Sequence, residues 1–345
     1  MKKLFLLLML CISIMAVNAQ SVFVENFATA PINGNVEGYN DWHVSLKSSE
    51  ANGVSPKVAE GALFYTGYAG SNIGNVAVLD SAIGVTSSNQ RISTKIVKFG
   101  DDTLKAVVGE KIYAAFLVNI SNQSYRSYRD FFTYEGSKTS SMTRGRVFAK
   151  VSTDGTELFL AVSKNSSSSA EYVESTSISG LTLSTNLNYL LVLVYETNEG
   201  DSNDKITLHI NPDLSKSEAE QTNKLEAKDT QTDYSASSGL GINLRQRGIG
   251  AQVGGIRVGK SWNSVLLGIG VGLSQVNKDN NGISFFGKTI VTDEPGSLKV
   301  FNLAGAEMMN AKTTGKLETS LQNGLYLVRF VSETGKTSSA KIKLQ

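Results

Sequence analysis

The feature that most constrains this chain is its rhythm. Short apolar or alternating runs are closed again and again by Gly, Asn, Asp and Ser, with no long amphipathic helical stripe between them. Arg91-Ile-Ser-Thr-Lys-Ile-Val97 alternates from residue to residue, and Lys111-Ile-Tyr-Ala-Ala-Phe-Leu-Val-Asn-Ile120 is continuously apolar, as a buried strand is. The clearest hairpin joins Arg146-Val-Phe-Ala-Lys-Val-Ser152 to Glu157-Leu-Phe-Leu-Ala-Val-Ser163, with Asp154-Gly155 supplying the positive φ of a tight turn. A second joins Asn188-Tyr-Leu-Leu-Val-Leu-Val-Tyr-Glu196 to Lys205-Ile-Thr-Leu-His-Ile210 across a polar connection.

The composition agrees: 32 Gly and only 4 Pro, with 14 Phe and 12 Tyr, suit many short strands joined by turns. Strands that so outnumber helices, with no regular short repeat, predict an all-β fold, an antiparallel sandwich of jelly-roll type over residues 20–262. Residues 212–238 are charged and poor in apolar side chains, and read as a surface excursion. After Trp262 the texture changes. A Gly-rich apolar linker, residues 263–282, leads to four to six short alternating segments over residues 283–345. These predict a small Ig-like β-sandwich.

The N-terminus speaks to compartment. Lys2-Lys3, the apolar run from Leu4 to Val17 and Val17-Asn18-Ala19 have the form of a secretory signal peptide, residues 1–19. The run is too short for a stable bilayer-spanning helix. The single cysteine, Cys11, lies inside that signal, so the mature chain would have neither disulfide nor thiol chemistry. Removing Lys2 and Lys3 from the 33 basic residues leaves 31 against 31 acidic ones, a balance that argues against nucleic acid as a partner.

Two stretches resemble known families. Val253-Gly-Gly-Ile-Arg-Val-Gly-Lys-Ser-Trp262, with Glu25-Asn-Phe27, Asp41-Trp42, Gly61-Ala-Leu-Phe-Tyr65 and Tyr195-Glu196, resembles the concanavalin A-like, laminin-G-like jelly rolls of secreted Bacteroidetes proteins. That resemblance implies a two-sheet sandwich in which the N- and C-terminal strands pair, and no particular function. The tail resembles the C-terminal sorting domain of the type IX (Por) secretion system. The match is carried by Gly296-Ser-Leu-Lys-Val-Phe-Asn-Leu-Ala-Gly305, by Gly324 with Tyr326 and Val328, and by the basic last strand with Lys341. The Pro frequent in that motif is absent, and residues 320–323 stand in its place. The resemblance implies Sec export, passage through the periplasm and outer membrane, removal of the tail, and release or attachment to surface lipopolysaccharide.

Chemistry-bearing constellations are sparse. His43 and His209 are distant in sequence and have no evident Ser or Cys partner, so both read as structural. Glu199-Gly-Asp-Ser-Asn-Asp204 is similar to the paired-carboxylate strand of laminarinase-type glycosidases, but it sits in a hairpin connection where such residues are ordinary turn chemistry. Asp201, Asn203 and Asp204 also offer hard oxygens for calcium, the one cofactor the sequence suggests. Gly254-Gly255 lacks the Lys-Ser/Thr and the helix of a phosphate loop. The most ligand-like stretch is residues 123–134, where Tyr125, Arg126, Tyr128 and Arg129 combine ring faces for sugars with forked donors. The competing reading puts Phe131 or Phe132 in the core and the Tyr-Arg pairs on the surface. Arg245, Arg247 and Arg257 are expected at strand ends near the closing edge.

The expectation is a secreted or outer-membrane-surface protein of a Gram-negative bacterium that binds or adheres without catalysis, its ligand a glycan or a host or matrix protein. The alternatives are a jelly-roll glycoside hydrolase using Glu199 with Asp201 or Asp204, and a structural surface or matrix component.

Overall fold

A computed structural model describes residues 22–45, 53–86, 89–99, 102–136, 143–166, 171–234, 239–268, 283–286, 289–292, 294–302, 305–322, 324–335 and 337–344. The predicted signal peptide, Cys11 and residues 269–282 of the predicted linker lie outside them. The chain divides into two compact units, Met1–Val271 and Gly272–Gln345.

The first unit opens with strands β1 (Phe23–Glu25), β2 (His43–Val44), β3 (Lys57–Ala59), β4 (Val76–Leu79), β5 (Arg91–Ile96), β6 (Lys98–Phe99) and β7 (Asp102–Thr103). It continues through β8 (Lys111–Gln123), β9 (Arg129–Gly136), β10 (Thr143–Val151), β11 (Leu158–Ser163) and β12 (Val173–Glu174). Strands β13 (Asn188–Glu196), β14 (Lys205–Ile210), β15 (Lys224–Glu226), β16 (Leu240–Gln246) and β17 (Ile249–Gly259) follow, then helix α1 (Trp262–Leu267).

Two antiparallel sheets form the sandwich. One runs β15-β14-β13-β8-β17-β4-β3, with β1 also on β17; the other runs β12-β11-β10-β9-β16-β5-β2. The first strand therefore pairs with the last: Phe23 lies opposite Val258 and Glu25 opposite Ile256. Both predicted hairpins form, β10 with β11 and β13 with β14.

The core fills the space between the sheets. Ile112, Ala114, Phe116 and Val118 of β8 face Phe132 and Tyr134 of β9 and Val147 and Ala149 of β10 within it. The other face of the eight-stranded sheet is covered as well. Tyr113, Ala115 and Leu117 of β8 and Leu190, Val192 and Val194 of β13 pack with Trp262, Val265 and Leu266 of α1. Burial on both faces is why β8 and β13 read as unbroken apolar runs. Residues 263–267, assigned to the linker by their Gly-flanked apolar texture, belong to this helix: Ser261 caps its N-terminus and Gly268, at φ +68°, ends it.

Where β17 passes from β4 to β1 it kinks at Gly254-Gly255. Gly255 has φ +58°, and a Cβ there would lie 2.3 Å from the Gly70 carbonyl oxygen. The Tyr68 hydroxyl lies 2.6 Å from the Gly255 carbonyl oxygen and 3.0 Å from that of Ala115, so its one proton is shared between them.

In the second unit β18 (Ile283–Phe286), β19 (Thr289–Thr292) and β22 (Lys316–Glu318) make a three-stranded sheet in the order β18-β19-β22. Strands β20 (Gly296–Phe301), β21 (Glu307–Thr313), β23 (Gly324–Ser332) and β24 (Thr337–Leu344) make a four-stranded one in the order β21-β20-β23-β24. Ile290 from the first sheet and Leu298, Val300, Tyr326, Val328 and Phe330 from the second share one core.

Candidate functional site in the seven-stranded sheet

The outer face of the seven-stranded sheet is polar. In β10, Val147, Ala149 and Val151 enter the core, so strand alternation puts Arg146, Phe148 and Lys150 on the outer face. In β16, Leu240, Ile242 and Leu244 point inward, and Asn243 and Arg245 point out. Strand β9 breaks the pattern. Val147 pairs with Phe132 but Phe148 with Asp130, so Phe131 is an extra residue. The bulge lets Phe131 and Phe132 both sink fully into the core and keeps Asp130 on the outer face.

Asp130 is 1% exposed and gathers three guanidinium groups: Arg146 at 2.9 Å, Arg245 at 3.0 Å and Arg247 at 2.6 Å. Burial alone would raise its pKa, but the charges of Arg245, Arg146 and Arg247 outweigh it and hold the carboxyl far below the usual range. A carboxylate that stays ionised cannot serve as a general acid; it ties the cations of two strands, β10 and β16, and of the turn after β16 to one point. Arg245 and Arg247 do lie at a strand end, that of β16, but inside the sheet between β9 and β5 and not at its edge.

A cavity of about 450 Å³ opens against this cluster, lined by Arg126, Ser127, Tyr128, Arg129, Asp130, Arg146, Phe148, Lys150, Tyr172, Glu174 and Arg247. Phe148 and Tyr172 lie 4.3 Å apart with their planes tilted by 31°, and Tyr172 meets Tyr128 edge-on at 5.7 Å. The Lys150 ammonium sits 4.8 Å from the ring centres of both Tyr128 and Phe159. The Arg129 guanidinium lies 4.3 Å from the Tyr125 ring, and among the described residues its buried Nε has no hydrogen-bond partner. Burial first, and then the neighbouring Glu174 carboxylate, push the Tyr128 phenol above its usual range.

Of the four residues the sequence singled out, Arg126, Tyr128 and Arg129 line the cavity, and Tyr125 lies under Arg129. Arg126 also donates to the Ser152 carbonyl at 2.7 Å. Sequence reasoning missed Arg146, Phe148, Lys150, Tyr172, Glu174 and Arg247. One signal was available: Arg146, Phe148 and Lys150 share the polar phase of an alternating strand, and an aromatic flanked by two cations there is unusual for a merely solvated face.

The turn at residues 197–204 is a different kind of structure. Asp204 is 6% exposed; one carboxylate oxygen accepts from the Tyr195 hydroxyl and the other from the backbone N–H of Asn198 at 2.8 Å. Asp233 accepts the backbone N–H groups of Asn203, at 2.9 Å, and Asp204, at 3.0 Å, and pairs with buried Lys164. The Asn203 amide donates back to the Glu199 carbonyl. Asp201 and Glu199 are exposed. The residues considered for calcium and for paired-carboxylate hydrolysis therefore do not converge: Asp204 turns inward to brace the hairpin while Glu199 and Asp201 face solvent. Among the described residues no group of three or more His, Cys, Asp or Glu is placed to hold a metal ion.

His209 is 1% exposed against Trp262, ring centres 4.8 Å apart, and burial lowers its pKa to about 4. His43 pairs with Thr94 on the opposite sheet. In the second unit, Gly305 (φ +82°) closes the turn between β20 and β21; Tyr326 and Val328 are core residues; the Tyr326 hydroxyl donates to the Gln322 carbonyl at 2.9 Å. Gly324 starts β23, and Lys341 lies in β24 opposite Leu327.

No family model and no curated protein matches the chain. Among solved structures, similar folds include an endo-1,3-β-glucanase from Streptomyces sioyaensis, at 10% identity and TM-score 0.40 over 71% of this chain and 98% of that one. An endo-β-1,4-glucuronan lyase from the fungus Trichoderma reesei is similar at 10% identity and TM-score 0.37, over 71% and 98%. Peanut lectin is similar at 7% identity and TM-score 0.33, over 70% and 97%. Likenesses this loose carry no argument about chemistry; the site has to be read from its own residues.

Proposed function

We propose that the first unit is a non-catalytic carbohydrate-binding domain whose ligand enters the cleft of Tyr128, Tyr172 and Phe148. The supporting observation is the cavity itself: tilted and edge-on aromatic rings beside forked and ammonium donors, the pairing of apolar face and directional polar group that sugar rings require. Its buried carboxylate, Asp130, is engaged by three arginines, which favours holding a ligand over moving a proton. The test uses the mature full-length chain on a glycan array, followed by calorimetry. Tyr172→Ala, which removes the ring facing both Phe148 and Tyr128, lowers affinity for the best ligand by about tenfold or more. Ligand turnover seen as new reducing or unsaturated ends, or retained affinity in Tyr172→Ala, refutes the reading.

The tail reading completes the proposal. The second unit is a sorting domain of the type IX system, and the first is its cargo, secreted or attached to surface lipopolysaccharide of a Gram-negative bacterium. It rests on the sequence resemblance around Gly305, Gly324, Tyr326, Val328 and Lys341. Deleting residues 272–345 abolishes surface display in a Bacteroidetes host; unchanged display refutes it.

A further inference from the structure

We infer that the ligand of this cleft is an acidic sugar, one carrying a carboxylate or a sulfate; the inference rests on the carbohydrate-binding reading and narrows it. The cavity is lined by five basic side chains and two acidic ones, a surplus of three positive charges. The whole chain, by contrast, carries a net charge of only +2, so the surplus is local and not a reflection of general basicity.

The distribution within the cleft matters more than the sum. Arg146 spends its donors on Asp130 and on the Asn165 carbonyl, and Arg126 reaches the Ser152 carbonyl. Lys150 and Arg129 are different. Among the described residues Lys150 makes no hydrogen bond or ion pair and only overlies Tyr128 and Phe159, while Arg129 only overlies Tyr125. Each of these half-exposed cations rests on an aromatic face and, among the described residues, has no carboxylate in ion-pair contact, so its charge remains available to an incoming anion. A planar carboxylate or a sulfate matches the guanidinium fork of Arg129, and the point charge of Lys150 suits either. A sugar ring carrying that anion would bring its own apolar face to Tyr128 and Tyr172.

The experiment measures affinity of the mature full-length chain for three forms of one oligosaccharide: a uronate oligomer, the same oligomer with its carboxyls reduced to alcohols, and a sulfated neutral oligomer. The expected result is binding of the uronate or the sulfated form at least tenfold tighter than of the reduced form, weakening as salt is raised. Which anionic form is preferred identifies the anion. Lys150→Gln and Arg129→Gln, with melts to check folding, narrow that gap to under about threefold. If the reduced form binds as tightly as the acidic forms, the inference fails while carbohydrate binding stands. If none of the three binds and the array is also blank, the carbohydrate reading falls and the inference with it. The wild-type comparison of ligands needs no variant to fold.

Discussion

Asp130→Asn is the sharpest perturbation of the site's foundation. It removes the one negative charge shared by three guanidiniums, two of which, Arg245 at 2% and Arg146 at 8% exposure, are themselves buried. Removing one partner of a buried ion pair costs about 3–5 kcal/mol, against about 5–15 kcal/mol for a whole domain. At about 2–4 °C per kcal/mol for a domain of this size, Tm falls by about 6–20 °C. The assay is a thermal melt of the mature chain followed by near-UV circular dichroism. The pH dependence adds a second reading. Because the folded-state carboxyl titrates below its ordinary value of 3.8, its stabilisation is complete above that value and shrinks as pH falls toward the folded pKa. The gap between wild type and variant therefore holds from roughly pH 5 to 8 and narrows only in stronger acid. A melt within about 2 °C of wild type at neutral pH refutes the reasoning, since it would mean the guanidiniums need no anion.

Three further outcomes are expected. His209 has a folded pKa lowered from 6.5 to about 4, so it weakens the fold as pH falls through that window; His209→Phe loses less stability than wild type between those values, measured by denaturant titration, and equal losses contradict it. Trp262→Ala uncovers His209, Tyr113 and the outer face of the eight-stranded sheet and costs about 3–5 kcal/mol by the same titration; a cost below about 1 kcal/mol would show that α1 is not seated there. Gly255→Ala places a Cβ 2.3 Å from the Gly70 carbonyl at φ +58° and costs at least about 1–3 kcal/mol; a neutral result would rule out the close approach of Tyr68 and residues 70 and 255.

The parts of this fold that sequence made legible are those written in local pattern. The alternation of Arg146 to Ser152 around Asp154-Gly155 specifies a hairpin because its turn residues tolerate positive φ and its period is that of a strand. The pairing of β1 with β17, implied by the jelly-roll resemblance, is present. The cleft was half legible. Arg126, Tyr128 and Arg129 adjoin in sequence, but Tyr172 reaches them from beyond β11 and Arg247 from beyond β16, and no local pattern registers that encounter. The bulge at Phe131 was invisible for a related reason. Phe131-Phe132 reads as one core residue and one exposed, and only the register against β10 shows that both are inside. Asp204 was legible as turn chemistry, but not its burial: only the structure shows Tyr195 and Asn198 using both carboxylate oxygens to brace the hairpin.

The pairing of Phe23 with Val258 has a mechanical consequence. The first strand enters and the last strand leaves at the same end of one antiparallel pair. A pull between the two ends of the first unit would therefore open that seam rung by rung, as a zipper opens, and not load its hydrogen bonds together in shear. Tension between a ligand in the cleft and an anchor at the C-terminal end follows another route, through β9, β16 and the body of the sandwich, and bypasses the three-residue seam. A domain tethered by its C-terminal end and loaded through its cleft would thus resist tension better than the same domain pulled from end to end.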